Sequence, residues 1–247
     1  MRVKVKIGTC GFRISKDEYT RLLSCVEIQH TFYQPPQILT LERWRRETPA
    51  GFEFTLKAWQ LITHEAKSPT YKRLKRQLSQ TERGEAGYFK PSALVREAWE
   101  VTLASAKALK AKTILFQCPA SFKQTRENIS NLEKFFSNIE RGSFNLCWEP
   151  RGDWDNKVLK SICKSLDLWH VVDPFSGKSV TPGKCYFRLH GRRGWRYKYD
   201  EGELEELAQM LPANKSSYVF FNNIDMTEDA LRFKEIVQGS GSNGRKV

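Results

Sequence analysis

Three carboxylates, Glu27, Glu149 and Asp173, each close a short apolar run, and with His190 they form a mixed histidine–carboxylate set. Two carboxylates facing one cavity can divide acid and base work, and several oxygen and nitrogen donors together can hold a divalent metal. The expected catalytic residues are therefore Glu27, Glu149, Asp173 and His190. If a cofactor is used, a divalent metal is the candidate, with Glu27, His30, Glu149, Asp173 and His190 as its donors and His64 in reserve. No HxH or HExxH spacing accompanies them, so the metal signal is weak. The same acids have another use: Lys57, Arg151 and Arg188 stand at comparable positions and could neutralise them in a buried ion network.

The strongest local signal is residues 188–199, which interleave four arginines and lysines other than Arg188 with Trp195, Tyr197 and Tyr199. Cations contact phosphates and aromatic faces stack on bases, so this mixture favours an anionic ligand. Gly191 and Gly194 would permit close backbone approach. Lys57, Arg151, Arg188, Arg192, Asn222, Tyr33, Gln117 and Trp195 are the expected substrate- or phosphate-binding residues. A strand-end lysine such as Lys57 can also be a Schiff-base nucleophile, though a phosphate ligand or ion-pair partner is its more ordinary role. Composition leans the same way, because 41 Lys and Arg against 28 Asp and Glu leave a net charge of +13.

Apolar runs at 5–8, 26–29, 52–57, 113–117, 146–149, 169–173, 186–190 and 218–222 must position these groups. Helical patterns fit 41–47, 92–109, 126–139, 156–166, 201–210 and 227–237, with Ser92 and Asp155 suited to capping. Strands alternating with helices imply a parallel sheet, and eight units imply a (β/α)8 TIM-type barrel of α/β class. The chain has 247 residues, close to the roughly 250 of a single barrel, which predicts one domain over 1–238 and a disordered tail over 239–247. Residues 60–91 form a long excursion after strand 3, suited to a lid or binding loop and carrying the basic run Lys72-Arg73-Leu74-Lys75-Arg76. No run of about 18 apolar residues or signal-peptide pattern is visible, so a cytoplasmic protein without a membrane span is expected. The six scattered cysteines read as buried reduced thiols.

The ordered motifs Ile7-Gly8-Thr9-Cys10-Gly11-Phe12, Val26-Glu27-Ile28 with Thr31-Phe32-Tyr33, Thr48-Pro49-Ala50-Gly51-Phe52, Leu115-Phe116-Gln117-Cys118-Pro119, Tyr186-Phe187-Arg188-Leu189-His190-Gly191-Arg192 and Phe221-Asn222-Asn223 resemble the YecE-like family, domain of unknown function 72. The resemblance covers nearly the whole chain and implies a TIM-type barrel without implying a particular reaction. Two departures stand out. Gln29-His30 replaces an expected Asn-Ser, and Glu149-Pro150-Arg151-Gly152-Asp153-Trp154 lacks a histidine expected after its arginine. His30 could substitute for that histidine, or the chemistry could be altered.

The leading expectation is a barrel acting on a phosphate-bearing substrate, nucleic acid first, by phosphodiester hydrolysis or a repair-type nuclease reaction. Endonuclease IV-type barrels supply a fold-level analogy for it. The alternatives are an enzyme acting on a sugar or sugar phosphate with paired carboxylates, and a non-catalytic nucleic-acid-binding protein. Oligomeric state is not legible.

Overall fold

The computed structural model describes residues 5–212 and 215–239. The chain runs β1 (Val5–Cys10), α1 (Lys16–Leu22), β2 (Cys25–Ile28), α2 (His30–Tyr33), α3 (Ile38–Arg46), β3 (Glu53–Lys57) and α4 (Gln60–Thr63). After a 3-10 turn (Pro69–Arg73) come α5 (Gln80–Glu85), α6 (Ala93–Leu109), β4 (Thr113–Gln117), α7 (Arg126–Asn138), β5 (Asn145–Glu149) and α8 (Asn156–Ser165). The remaining elements are β6 (Trp169–His170), β7 (Cys185–Leu189), α9 (Glu201–Gln209), β8 (Ser217–Phe221) and α10 (Met226–Gly239).

All eight strands are parallel, in the order β6-β5-β4-β3-β2-β1-β8-β7. The remaining seam is crossed just beyond β6, where Val172 bridges to Phe187 and Arg188 N–H donates to the Val172 carbonyl at 3.0 Å. That completes a single-domain (β/α)8 barrel. β6 is shorter than the apolar run 169–173 suggests. Val171 still donates to Trp148 of β5 at 2.9 Å, but by Val172 the backbone has turned to β7.

Side chains alternate along each strand, so one phase enters the lumen and the other packs outward beneath the helices. The inward phase carries an apolar middle layer that includes Cys25, Leu115, Cys147, Val171, Tyr186 and Phe220. At Gly8 a Cβ would lie 2.3 Å from the Cys25 carbonyl oxygen, so only glycine fits where β1 passes β2. The next inward positions toward the strand ends are Cys10, Glu27, Lys57, Gln117, Glu149, Asp173, Arg188, His190 and Asn222. All six cysteines are buried and unpaired.

Ser92 and Asp155 cap their helices, Ser92 Oγ accepting from Val95 N at 3.2 Å and Asp155 Oδ1 from Lys157 N at 2.8 Å. The long excursion is anchored. Gly87 N and Phe89 N donate to the carbonyls of Leu61 and Ile62, both at 2.8 Å. Gly87, Tyr88 and Phe89 all take left-handed φ, at 81°, 54° and 53°. This strained turn drives Phe89 among Phe116, Phe122, Phe135 and Phe136. No described helix is long and apolar enough to cross a membrane. The tail expectation falls outside the described residues except at Gly239, which ends α10.

Candidate functional site

Arg188, on the inward phase of β7, is the centre of the lumen's C-terminal end and is 1% exposed. One terminal nitrogen meets Glu27 Oε1 at 2.9 Å and the other meets Glu149 Oε2 at 2.5 Å. The latter nitrogen also donates to Gln117 Oε1 at 3.4 Å, and the former lies 3.5 Å from Cys10 Sγ. Burial opposes the charge on Arg188, yet Glu149 and Glu27 hold its pKa well above the ordinary arginine value. Among the described residues its Nε has no hydrogen-bond partner.

Glu27 is fully buried, and its remaining acceptor capacity is taken. It accepts from Tyr186 Oη at 2.6 Å, from Cys10 Sγ at 3.3 Å and from the Gln29 amide. Glu149 is clasped from two sides, by Arg188 and by Arg151 Nε at 2.9 Å. Burial pushes the Glu149 carboxyl up, but the guanidiniums of Arg188 and Arg151 and the imidazole of His190 pull it well below the usual carboxylate range. It is therefore a fixed anion at neutral pH, poorly suited to releasing and retaking a proton.

His190 lies against the same group. Its Nε2 is 3.3 Å from Glu149 Oε1 and 2.5 Å from a terminal nitrogen of Arg151. Burial lowers its pKa, with Glu149 raising it and Arg188 opposing that, so the ring is neutral near pH 7. A guanidinium can only donate, so the Nε2 lone pair accepts from Arg151 and Nδ1 faces the Asn222 amide at 3.0 Å. Asp173 sits at the edge of this cluster and accepts from the backbone N–H groups of His190 at 2.9 Å and Phe175 at 3.1 Å. It fixes the loop after β6 to the end of β7.

Lys57 differs from all of these. It is 5% exposed, and among the described residues its ammonium has no hydrogen bond and no carboxylate within 4 Å. Nζ lies 3.5 Å from the centroid of the Phe32 ring. Burial pulls its pKa down to about 7, with Arg188 lowering it further and Glu149 and Glu27 only partly restoring it. His64 is buried beside Phe32, with ring centroids 4.9 Å apart. Burial, with Lys57 and Arg151, lowers its pKa to about 3, which keeps it neutral.

Several expected residues lie outside this cluster. His30 is exposed at the start of α2, edge-on to Trp44 at 5.9 Å, because the chain has left the lumen after Glu27. Tyr33 is half-buried under the Arg73 guanidinium, 3.6 Å from its ring centroid. Arg192 is engaged by Glu203 at 3.1 Å and Glu206 at 3.6 Å and lies over Phe175. Trp195 is 57% exposed on the β7–α9 loop, with Arg196 against its ring and Arg193 nearby in sequence. In the excursion, Arg76 is paired with Glu82 and Glu97, while Lys72 and Lys75 are exposed. Sequence reasoning passed over Cys10, Gln29 and Tyr186 as site residues. Tyr186 was discoverable as the inward residue two positions before Arg188.

The donor set does not fit the expected divalent metal. Among the described residues no three His, Cys, Asp or Glu side chains converge as a metal-holding group. The Arg188 guanidinium occupies the place between Glu27 and Glu149 where a cation would sit, and His30 is turned away.

UPF0759 protein YunF of Bacillus subtilis (strain 168) is 23% identical over 241 residues, covering 83% of this chain and 79% of that protein. A solved DUF72 family protein from Enterococcus faecalis V583 is 22% identical, with 96% of this chain and 98% of that chain covered at a TM-score of 0.73. More distant barrels share the fold alone. One is a xylose isomerase domain containing protein from Salmonella typhimurium LT2 (11% identity, 98% of each chain, TM-score 0.59). Another is an AP endonuclease, family 2, from Brucella melitensis (13% identity, 93% of this chain and 96% of that one, TM-score 0.56). The model of the family described as "Protein of unknown function DUF72" matches residues 16–245, and the chain belongs to that family.

Proposed function

We propose that this protein binds a phosphate-bearing substrate, with nucleic acid as the first candidate, across the C-terminal mouth of its barrel. The observation that carries the reading is a set of cations on this face that have no carboxylate partner among the described residues. Lys57 lies inside the mouth, and Arg193 and Arg196 stand on the β7–α9 loop beside exposed Trp195. A buried ammonium without a counter-ion is costly, and a bound anion would supply one. Exposed arginines around an exposed indole suit phosphates and a stacked base.

In this reading Glu27 and Glu149 are not the proton-transferring pair. They keep Arg188 and Arg151 charged and oriented, Asp173 fixes the loop, and Asn222 and Arg151 set the His190 ring. Hydrolysis through a metal held by these acids loses support, because their oxygens already serve Arg188, Arg151 and Tyr186. The AP endonuclease likeness is a likeness of fold and adds only analogy.

The test is fluorescence anisotropy of a labelled single-stranded oligonucleotide across a salt series. The logarithm of affinity should fall linearly with the logarithm of salt. Arg193→Ala with Arg196→Ala should reduce the slope by about 1.4, two contacts' worth on a single strand. No measurable binding at low salt, or an unchanged slope in the double variant, would remove the proposed surface.

A further inference from the structure

We infer that Lys57 is an amine nucleophile, condensing with the carbonyl carbon of a phosphate-bearing sugar to form an imine. The inference rests on the phosphate-binding reading above and adds the reacting group. The ligand chemistry is an aldehyde close to a phosphate, which a free aldose phosphate and an abasic nucleotide within a strand share.

The argument begins with position. Lys57 ends β3 two residues after Thr55, and the Thr55 hydroxyl meets the Tyr186 hydroxyl inside the lumen at 3.1 Å. Strand alternation therefore puts Lys57 on the inward phase, at the end of the barrel where this fold does its chemistry. The carboxylates that could neutralise it are committed, Glu27 and Glu149 both to Arg188. Among the described residues its amine thus has neither an ion-pair partner nor a hydrogen bond to hold its lone pair. The groups acting on it electrostatically are Arg188, Arg151, Glu149 and Glu27. Buried among two guanidiniums, it is neutral for about half the time near pH 7, whereas an ordinary lysine is neutral there about a thousandfold less often.

The ring beneath it suits the product as well as the reactant. Phe32 presents its face 3.5 Å from Nζ, and an aromatic face favours a cation. A protonated imine carries its positive charge on that same nitrogen. In the reaction, Nζ attacks the carbonyl carbon, the C–N bond forms, and the oxygen takes up the proton that the nitrogen releases. The resulting carbinolamine loses its hydroxyl and the second nitrogen-bound hydrogen as water, leaving C=N. No oxidant, reductant or metal is needed. Arg151, whose side chain is 37% exposed and whose charge acts on Lys57, would receive the phosphate.

The experiment is reductive trapping. The protein is mixed at pH 7 with glyceraldehyde 3-phosphate or with an oligonucleotide bearing one abasic site. Sodium cyanoborohydride then converts any imine to a stable secondary amine. Intact mass and peptide mapping locate the adduct. Glycerol 3-phosphate and an oligonucleotide with a reduced abasic site serve as unreactive binding controls. The expected result is one adduct per chain on the peptide carrying Lys57, lost in Lys57→Arg, with a wild-type trapping rate that climbs through about pH 7. The arm that reacts identifies the source of the sugar. Mapping on the wild-type protein keeps the test valid even if Lys57→Arg folds poorly. Adducts spread over exposed lysines, or none at all while the unreactive controls bind, would overturn the nucleophile and leave phosphate binding standing. Absence of both adduct and control binding would overturn both.

Discussion

At the N-terminal end of the lumen Glu53 meets Lys6 at 3.2 Å and Lys112 at 3.6 Å and accepts from the Tyr218 hydroxyl. At the C-terminal end Arg188 meets Glu27 and Glu149, Arg151 joins Glu149, and Lys57 meets no carboxylate among the described residues. Both ends bury charge, but the first closes on itself while the second leaves an amine unmatched. Within the first cluster each buried charge has a partner, so its desolvation is offset inside the protein. At the other end a charged Lys57 is a standing cost to the fold, of the kind that functional sites retain. The difference is what makes the C-terminal end, and not the N-terminal one, the candidate site.

The largest expected effect breaks the C-terminal network at its centre. Arg188→Met should destabilise the protein by about 3–5 kcal/mol, because it leaves Glu27 and Glu149 buried without the cation between them. Urea unfolding measures this, and an unchanged midpoint would mean that the two acids do not depend on Arg188. The acid limb should change too. Glu149 has a folded pKa below its unfolded one, so its stabilisation is present above about pH 4.3 and is lost as pH falls through the folded value. In Arg188→Met that loss should begin at higher pH.

Lys57→Met should act in the opposite direction and raise stability by about 2–4 kcal/mol at pH 7. The folded pKa of about 7 lies below the ordinary 10.5, so the unfolded chain binds more protons between those values. Wild-type stability therefore rises with pH across that window, and the advantage of the variant should vanish near pH 10.5. A variant that is less stable at pH 7 would show that the amine has a counter-ion after all. Glu53→Gln sharpens the contrast from the other end. It should cost about 1.5–3 kcal/mol through the lost charged interactions yet leave oligonucleotide affinity unchanged. Weakened binding would show that the two ends are coupled.

The barrel was legible because apolar run after apolar run ends in a polar or charged residue and the longer helices keep their period. Short polar helices such as α1 and α5 escaped notice, since they have little apolar periodicity to read. The strand-end residues Glu27, Lys57, Gln117, Glu149, Arg188, His190 and Asn222 could be named from the sequence, but their partners could not. Whether Glu149 faces a metal, a substrate or Arg188 depends on where β5 and β7 sit across the lumen, and 39 positions of separation carry no information about that. His30 shows the limit of reading by proximity. It stands three residues after Glu27, yet Gln29 folds back onto Glu27 while His30 starts a helix that buries Thr31 and Phe32 and leaves His30 itself exposed. Arg192 shows another limit, since its acidic partners lie on α9, 11 and 14 residues further on.

The smallest expected effect falls on Trp195, and it tests the mouth without disturbing either buried cluster. The indole is 57% exposed, and its loop is held by other groups. The Trp195 carbonyl accepts from Ile224 N at 2.7 Å, and the Tyr197 carbonyl accepts from the Asn223 amide at 2.8 Å. Both contacts use backbone oxygens that survive truncation of the ring. Trp195→Ala should therefore change unfolding stability by less than about 0.5 kcal/mol, as for other surface substitutions. If a base stacks on this ring, the same variant should lose about 1–3 kcal/mol of single-strand affinity, roughly 5- to 150-fold. Its salt slope should stay at the wild-type value, because the ring contacts no phosphate. Anisotropy titrations of Trp195→Ala beside the Arg193 and Arg196 double variant separate the two contributions. Unchanged affinity in Trp195→Ala with a reduced slope in the double variant would narrow the ligand to a phosphate-bearing group without a stacked base. The mouth would then act on something smaller than a strand.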